Sequence, residues 1–111
     1  MEASEKEYAR CLLLKVEGRV DHDTAPALEK RIETVFKKGQ YRLVVDFSGV
    51  DYISSAGLRV LVSALKKARR FNRGDVRLAA LSSRTKDAIE LVGFNRLFKI
   101  YDTAVDAVGS F

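Results

Sequence analysis

Two adjacent serines, Ser54 and Ser55, stand where a buried apolar run, Leu43-Val44-Val45-Asp46-Phe47, passes through a short connection into a helical pattern. A hydroxyl at a helix start faces unpaired first-turn N–H groups and the positive end of the helix dipole. That is a place for negative charge. A phosphoryl group on Ser55 would accept those N–H groups, as anions do at helix starts. Arg59, four residues on, is spaced to pair with it. Gly57 has no side chain, so the backbone there is expected to stay open to a ligand or partner. The bland alternative is that the two serines simply cap a helix, which serine does well.

No other group of residues suggests turnover. The one histidine, His22, lies between Asp21 and Asp23. A metal site would want more nitrogen or sulfur ligands at a set spacing, and capping already explains the aspartates. No nucleophile–base motif, P-loop or Gly-x-Gly-x-x-Gly turn occurs. The expectation is a binding module: not an enzyme, with no catalytic residues, no metal and no cofactor.

The bulk composition agrees. The chain has 111 residues, 47% of them hydrophobic and 32% charged, which is enough apolar surface for one globular core over residues 1–111. Its single cysteine, Cys11, lies among leucines and reads as a small buried hydrophobe; no internal disulfide can form. The polar N-terminus carries no targeting segment, and no run approaches the ~20 apolar residues of a membrane span. A cytoplasmic location is expected. The net charge of +5 admits an acidic partner or nucleic acid.

Several elements are needed to position the serines. Cys11–Glu17 alternates as a strand and ends at Gly18. Asp21, Asp23 and Thr24 are candidate caps for a helix in which Leu28, Ile32, Val35 and Phe36 form one stripe, with Pro26 in its first turn and Gly39 after its end. The run from Leu43 suits a central strand covered on both faces. A second helix starts near Ser54 or Ser55 and carries Leu58, Leu61, Val62, Leu65 and Ala68 inward. Val76–Leu81 reads as a strand. A third helix follows, capped by Ser82 or Ser83, with Ala88, Ile89 and Val92 inside. Leu97–Tyr101 reads as the last strand, and Asp102 or Thr103 caps a final helix through Val108. Strands alternating with helices from Leu43 onward predict parallel pairing through right-handed crossovers, hence an α/β sandwich.

The stretch Val45-Asp46-Phe47-Ser48-Gly49-Val50-Asp51-Tyr52-Ile53-Ser54-Ser55-Ala56-Gly57-Leu58 resembles the signature of STAS-domain anti-sigma factor antagonists. Gly18-Arg19-Val20-Asp21 before a helix is similar to a second marker of that family. Leu91-Val92-Gly93-Phe94-Asn95-Arg96-Leu97-Phe98-Lys99-Ile100 is similar to a third. The order and spacing hold over nearly the whole chain. One position departs: where the family has an aspartate, this chain has Ser54.

The resemblance implies a STAS-like single domain, a mixed and mostly parallel sheet of four to five strands with about four helices. It implies that Ser55 is the phosphorylated residue, with Ser54 the second candidate, and that the partner surface comprises Asp21, Ser54, Ser55, Ala56, Gly57, Leu58 and Arg59. It further implies partner switching. The antagonist binds an anti-sigma factor that is also a serine kinase, freeing the sigma factor; phosphorylation from ATP releases it, and a PP2C-type phosphatase restores it. Two alternatives stay open: a STAS subunit of a transporter or stress-signalling complex, and a nucleic-acid binder using Arg59, Lys66, Arg70 and Arg73. Against the latter, such residues ordinarily form a solvated helix face, and no stacking platform accompanies them. No direct nucleic-acid contact is therefore expected, and a weak dimer is left open.

Overall fold

The computed structural model describes residues 1–71 and 73–111. Five strands, β1 (Glu2–Glu7), β2 (Leu12–Glu17), β3 (Arg42–Gly49), β4 (Asp75–Ala79) and β5 (Ile100–Tyr101), form one sheet in the order β1-β2-β3-β4-β5. β1 is antiparallel to β2; the other pairs are parallel. Four α-helices, α1 (Ala25–Lys37), α2 (Ser55–Arg70), α3 (Ser83–Leu91) and α4 (Ala104–Gly109), complete the fold, with a 3-10 turn at Phe94–Arg96. The mixed α/β sheet with four helices is as the sequence predicts.

The central strand is covered on both faces, as the apolar run requires. Leu43, Val45 and Phe47 point into the larger core with Leu28, Ile32 and Val35 of α1, Leu61 and Leu65 of α2, and Ile89 of α3. Val44 points the other way, into a smaller cluster with Cys11, Ala79 and Ala107 of α4. Three crossover helices thus share one face, and α4 alone covers part of the other.

The structure departs from the sequence reading at four points. The polar N-terminus is a strand: Glu2↔Glu17 to Glu7↔Leu12 pair in antiparallel register. Its side chains are almost all exposed, so no apolar alternation marked it. Main-chain bonding and α1 hold it instead: Arg31 Nη1 donates to the Ala3 carbonyl (2.8 Å) and Arg31 and Lys38 pair with Glu5 (3.5 and 3.8 Å). Charged side chains on an edge strand also discourage pairing with another chain. The last strand is two residues long, because Gly93, at φ +78°, leads into a 3-10 turn that uses Phe94–Arg96. Val92, expected inside, is exposed at the C-terminus of α3, and β4 stops at Ala79, with Ala80 left-handed at φ +56°.

Candidate functional site

Parallel strands collect their C-terminal ends at one edge, where crossover loops are free to carry function. Here two such loops meet. The loop after β2 carries Arg19, Val20 and Asp21; the loop after β3 carries Val50 to Ser54. They are stitched together by an isolated parallel bridge between Val20 and Ile53. The Ser54 amide donates to the Val20 carbonyl (2.8 Å), and the Val20 amide to the Tyr52 carbonyl (3.4 Å). Both Val20 and Ile53 are buried.

Ser54 is the N-cap of α2. Its backbone is extended (φ −81°, ψ 171°) and its Oγ accepts from the Gly57 amide at 3.4 Å. Ser55 is the first helical residue and is exposed. The two hydroxyls therefore differ: one is turned into the helix end and the other faces solvent. The first turn of α2 holds no acidic residue, so the positive end of its dipole is uncompensated within the helix. Among the described residues the amides of Ser55 and Ala56 meet no protein acceptor. Arg59 is exposed one turn on. The arrangement offers a solvent-facing nucleophilic oxygen and, around it, donors suited to an anion.

Of the residues expected to form the partner surface, Asp21, Ser54, Ser55, Ala56 and Arg59 have exposed or partly exposed positions, whereas Gly57 and Leu58 are buried. The expectation of an open backbone at Gly57 is corrected. A Cβ built there would meet Ile53 Cγ1 and Val20 Cγ1, each at 2.7 Å. Gly57 is glycine because the helix start lies directly on the stitched loops, not because a partner needs access.

Asp21 organises its loop and does not cap α1 by the usual bond. Its Oδ1 accepts from the amides of Asp23 (3.0 Å) and Thr24 (3.1 Å), while its own amide donates to Thr24 Oγ1 (2.9 Å). Thr24 is the N-cap of α1, but its hydroxyl donates back to the Arg19 carbonyl (2.9 Å), leaving no side-chain cap. The Thr24 amide chiefly holds the Asp21 carboxyl below its ordinary range; desolvation, next in size, opposes this, and the Asp23 amide, the Thr24 hydroxyl and Arg19 at 3.4 Å reinforce the lowering.

Two contributors were not foreseen. The hydroxyls of Ser82 and Thr85 both donate to the Asp51 carbonyl, at 2.9 and 3.3 Å, and the Ser82 Oγ accepts from the Thr85 amide (3.1 Å). The α3 N-cap thus doubles as an anchor for the serine loop. The Arg84 guanidinium lies 4.9 Å from the centre of the Tyr52 ring, adding a cation beside that loop. Ser82 was legible as one of two candidate caps; its second partner, more than thirty residues earlier in the chain, was not.

On the outer face of α2, Lys66 and Arg70 are exposed, consistent with a solvated surface. Arg69 is instead engaged by Asp75 (3.2 Å) and the Leu97 carbonyl (2.9 Å). Among the described residues no group of three or more potential metal ligands comes together, and no helix is long and apolar enough to cross a membrane.

Comparison with known proteins agrees with this geometry. The STAS domain family model matches residues 2–107. The chain is 32% identical over 100 residues to BtrV of Bordetella bronchiseptica, covering 90% of this chain and 85% of that protein. It is 32% identical over 96 residues to the anti-sigma-F factor antagonist RsfB of Mycobacterium tuberculosis, covering 86% and 77%. The crystal structure of an anti-sigma factor antagonist from Mycobacterium paratuberculosis superposes with a TM-score of 0.89 at 28% identity, covering 98% of this chain and 92% of that one. A family model that matches nearly the whole chain and relatives of this closeness over most of their length place the chain in the STAS-domain family of anti-sigma factor antagonists.

Proposed function

We propose that the protein is an anti-sigma factor antagonist that works as a partner switch controlled at Ser55. The unphosphorylated form binds an anti-sigma factor that is also a serine kinase, and so frees the sigma factor. The kinase transfers phosphate from ATP: Ser55 Oγ forms a bond to the γ-phosphorus, the bond to the leaving ADP oxygen breaks, and the hydroxyl proton passes to a base on the kinase. The modified antagonist is released, and a PP2C-type phosphatase restores it by hydrolysis. These events belong in the cytoplasm, where ATP and sigma factors meet. The protein itself contributes a surface and a hydroxyl, not catalysis.

The observation that carries this reading is the difference between the two serines. Ser54 Oγ caps the helix, whereas Ser55 is exposed at a helix start whose first turn holds no acidic residue. A phosphate there adds about −1.5 to −2 charge. Within the domain it is tolerated, because the dipole and Arg59 favour it. Against a partner surface shaped for a neutral hydroxyl it brings repulsion and desolvation. A loss of about 1.4 to 2.8 kcal/mol suffices to lower affinity by one to two decades.

The test uses wild type, Ser55→Ala and Ser55→Asp as baits in lysate of the native organism, followed by titration of the purified partner. The expected result is a kinase-like ATPase retained by wild type and Ser55→Ala, bound at least tenfold more weakly by Ser55→Asp, with phosphate from ATP appearing on Ser55. Capture of a permease complex instead, or equal kinase affinity for all three, overturns the reading.

A further inference from the structure

We propose that the end of the sheet opposite Ser55 carries a second binding site: a pocket for a small, multiply charged oxyanion (free phosphate or pyrophosphate, or a phosphoryl group on a small molecule), held by Arg10, Arg42, Arg73 and Arg77. The proposal is independent of the switch reading.

The topology assembles the cluster. Arg42 opens β3, and Arg10 and Arg73 lie just before β2 and β4. Parallel register, with Leu12 beside Leu43 and Arg42 beside Asp75, brings those strand starts to one edge. Arg77 reaches the same place from within β4. The four arginines line an open pocket of about 390 Å³ with Asp75 and Ser110, and Arg10 and Arg42 also line an adjoining hollow of about 250 Å³.

Among the lining side chains the charges are unbalanced. The pocket holds four guanidiniums and one carboxylate side chain, and that carboxylate is already taken: Asp75 Oδ1 faces Arg69 Nε at 3.2 Å and Oδ2 faces Arg77 Nε at 3.1 Å. Among the described residues Arg10, Arg42 and Arg73 have no carboxylate within 4.0 Å. Like charges gathered at one edge repel, and a bound anion relieves this.

The geometry suits a phosphate. Arg77 forms a fixed wall: its side chain is 12% exposed, Nη1 donates to Ser110 Oγ at 2.7 Å, and the guanidinium lies 3.8 Å from the Phe111 ring centre. Arg10, Arg42 and Arg73 are exposed arms around it. Planar guanidinium forks match phosphate oxygens bidentately, which lysines would not. Arg73 occupies the left-handed region at φ +52°, a conformation glycine adopts more easily. The buried Cys11 thiol below registers the same convergence. Burial raises its pKa, and the positive charges of both Arg77 and Arg42 oppose that rise. A nucleic acid would be served by charges strung along a surface; these converge on one hollow.

Isothermal titration at a fixed ionic strength of about 0.15 M decides it, with phosphate, pyrophosphate, glucose 6-phosphate and a single-stranded oligonucleotide as probes. Arg42→Gln and Arg73→Gln alter exposed arms, and Lys86→Gln on α3 makes the same charge change at the other end of the sheet. The expected result is saturable binding of at least one small phosphate probe, weakened tenfold or more by Arg42→Gln and Arg73→Gln and under twofold by Lys86→Gln. Binding of the inorganic probes assigns a free anion; binding of the sugar phosphate alone assigns an organic phosphate, and either supports the site. No saturable binding, equal weakening by Lys86→Gln, or Arg42-dependent binding of the oligonucleotide alone overturns it.

Discussion

The amide of Ser54 donates to the carbonyl of Val20 over 2.8 Å, so the residue that caps α2 is fixed by the loop that follows β2. Ser55 takes its place at the helix start from that bond. The Asp21 turn and the serine loop are consequently one surface, and a change in either is felt at the other.

Gly57 is the tightest point of this joint. Gly57→Ala puts a methyl where Val20 and Ile53 side-chain carbons would stand 2.7 Å away. Overpacking of this kind costs about 1–3 kcal/mol. The expected outcome is a lower denaturation midpoint together with weaker partner binding, because relief requires the stitched loops to part. A variant with wild-type stability and wild-type affinity would show that the loops yield freely.

Ser54 and Ser55 separate when each is changed alone. Ser54→Ala removes the cap and is expected to cost about 0.5–2 kcal/mol while phosphate still appears on Ser55. Ser54→Asp places the residue the family signature carries there; as a good N-cap with charge at the positive helix end it should match or exceed wild type in stability. Chemical denaturation and phosphopeptide mass spectrometry check both. Phosphate on Ser54 in the wild type would reverse the assignment.

Phosphorylation of Ser55 should act on the partner and not on the fold. An anionic group near a helix N-terminus contributes about 0.3–1 kcal/mol of stability at low salt. The phosphorylated protein is therefore expected to melt at or slightly above the unmodified one, with the gain shrinking in high salt and in Arg59→Gln. A clearly lower melting temperature for the phosphorylated form would mean that release proceeds by local unfolding instead.

Much of this was legible in the sequence, and the limits have physical causes. The apolar run from Leu43 announced a strand covered on both faces, and the stripe of α2 fixed the helix that follows it. The helix start was legible because serine at an N-cap has a local signature. β1 was not legible, since its place rests on main-chain pairing and ion pairs to α1, while its side chains face water. Nor was the burial of Gly57: a glycine reads the same whether it leaves space for a partner or fills its own space with Val20 and Ile53. The Val20–Ile53 bridge and the Ser82–Asp51 bond join residues more than thirty positions apart, which no local pattern encodes.

Asp75 is the residue whose loss should cost most at the opposite edge. It is 8% exposed and serves both Arg69 and Arg77. Asp75→Ala leaves the largely buried Arg77 guanidinium without its counter-charge. Breaking a buried pair by removing one member costs about 3–5 kcal/mol, and the half-exposed Arg69 puts this case toward the lower figure. Urea denaturation should register the loss, and the double variant Asp75→Ala with Arg77→Met should recover part of it. No recovery would mean that Arg77 matters through Ser110 and Phe111 more than through charge.

Asp21 predicts an acid limb to stability, with a definite sign. Its carboxyl in the folded protein lies below the ordinary value of 3.8, chiefly because the Thr24 amide donates to its charged form. As pH falls, the unfolded chain takes up this proton first, near 3.8. Between there and the lower folded value, the unfolded state binds more protons, and stability declines with acid. The contribution is thus fully present at neutral pH and lost as pH falls through the folded value. Asp21→Asn cannot ionise, so it should be less stable than wild type at neutral pH, and the gap should close on acidification. Denaturation midpoints of the two proteins across pH 7 to about 2 measure this, because asparagine keeps one acceptor oxygen and removes the ionisation. A gap that stays constant over the whole range would show that the Asp21 turn is held by its hydrogen-bond geometry and not by its charge.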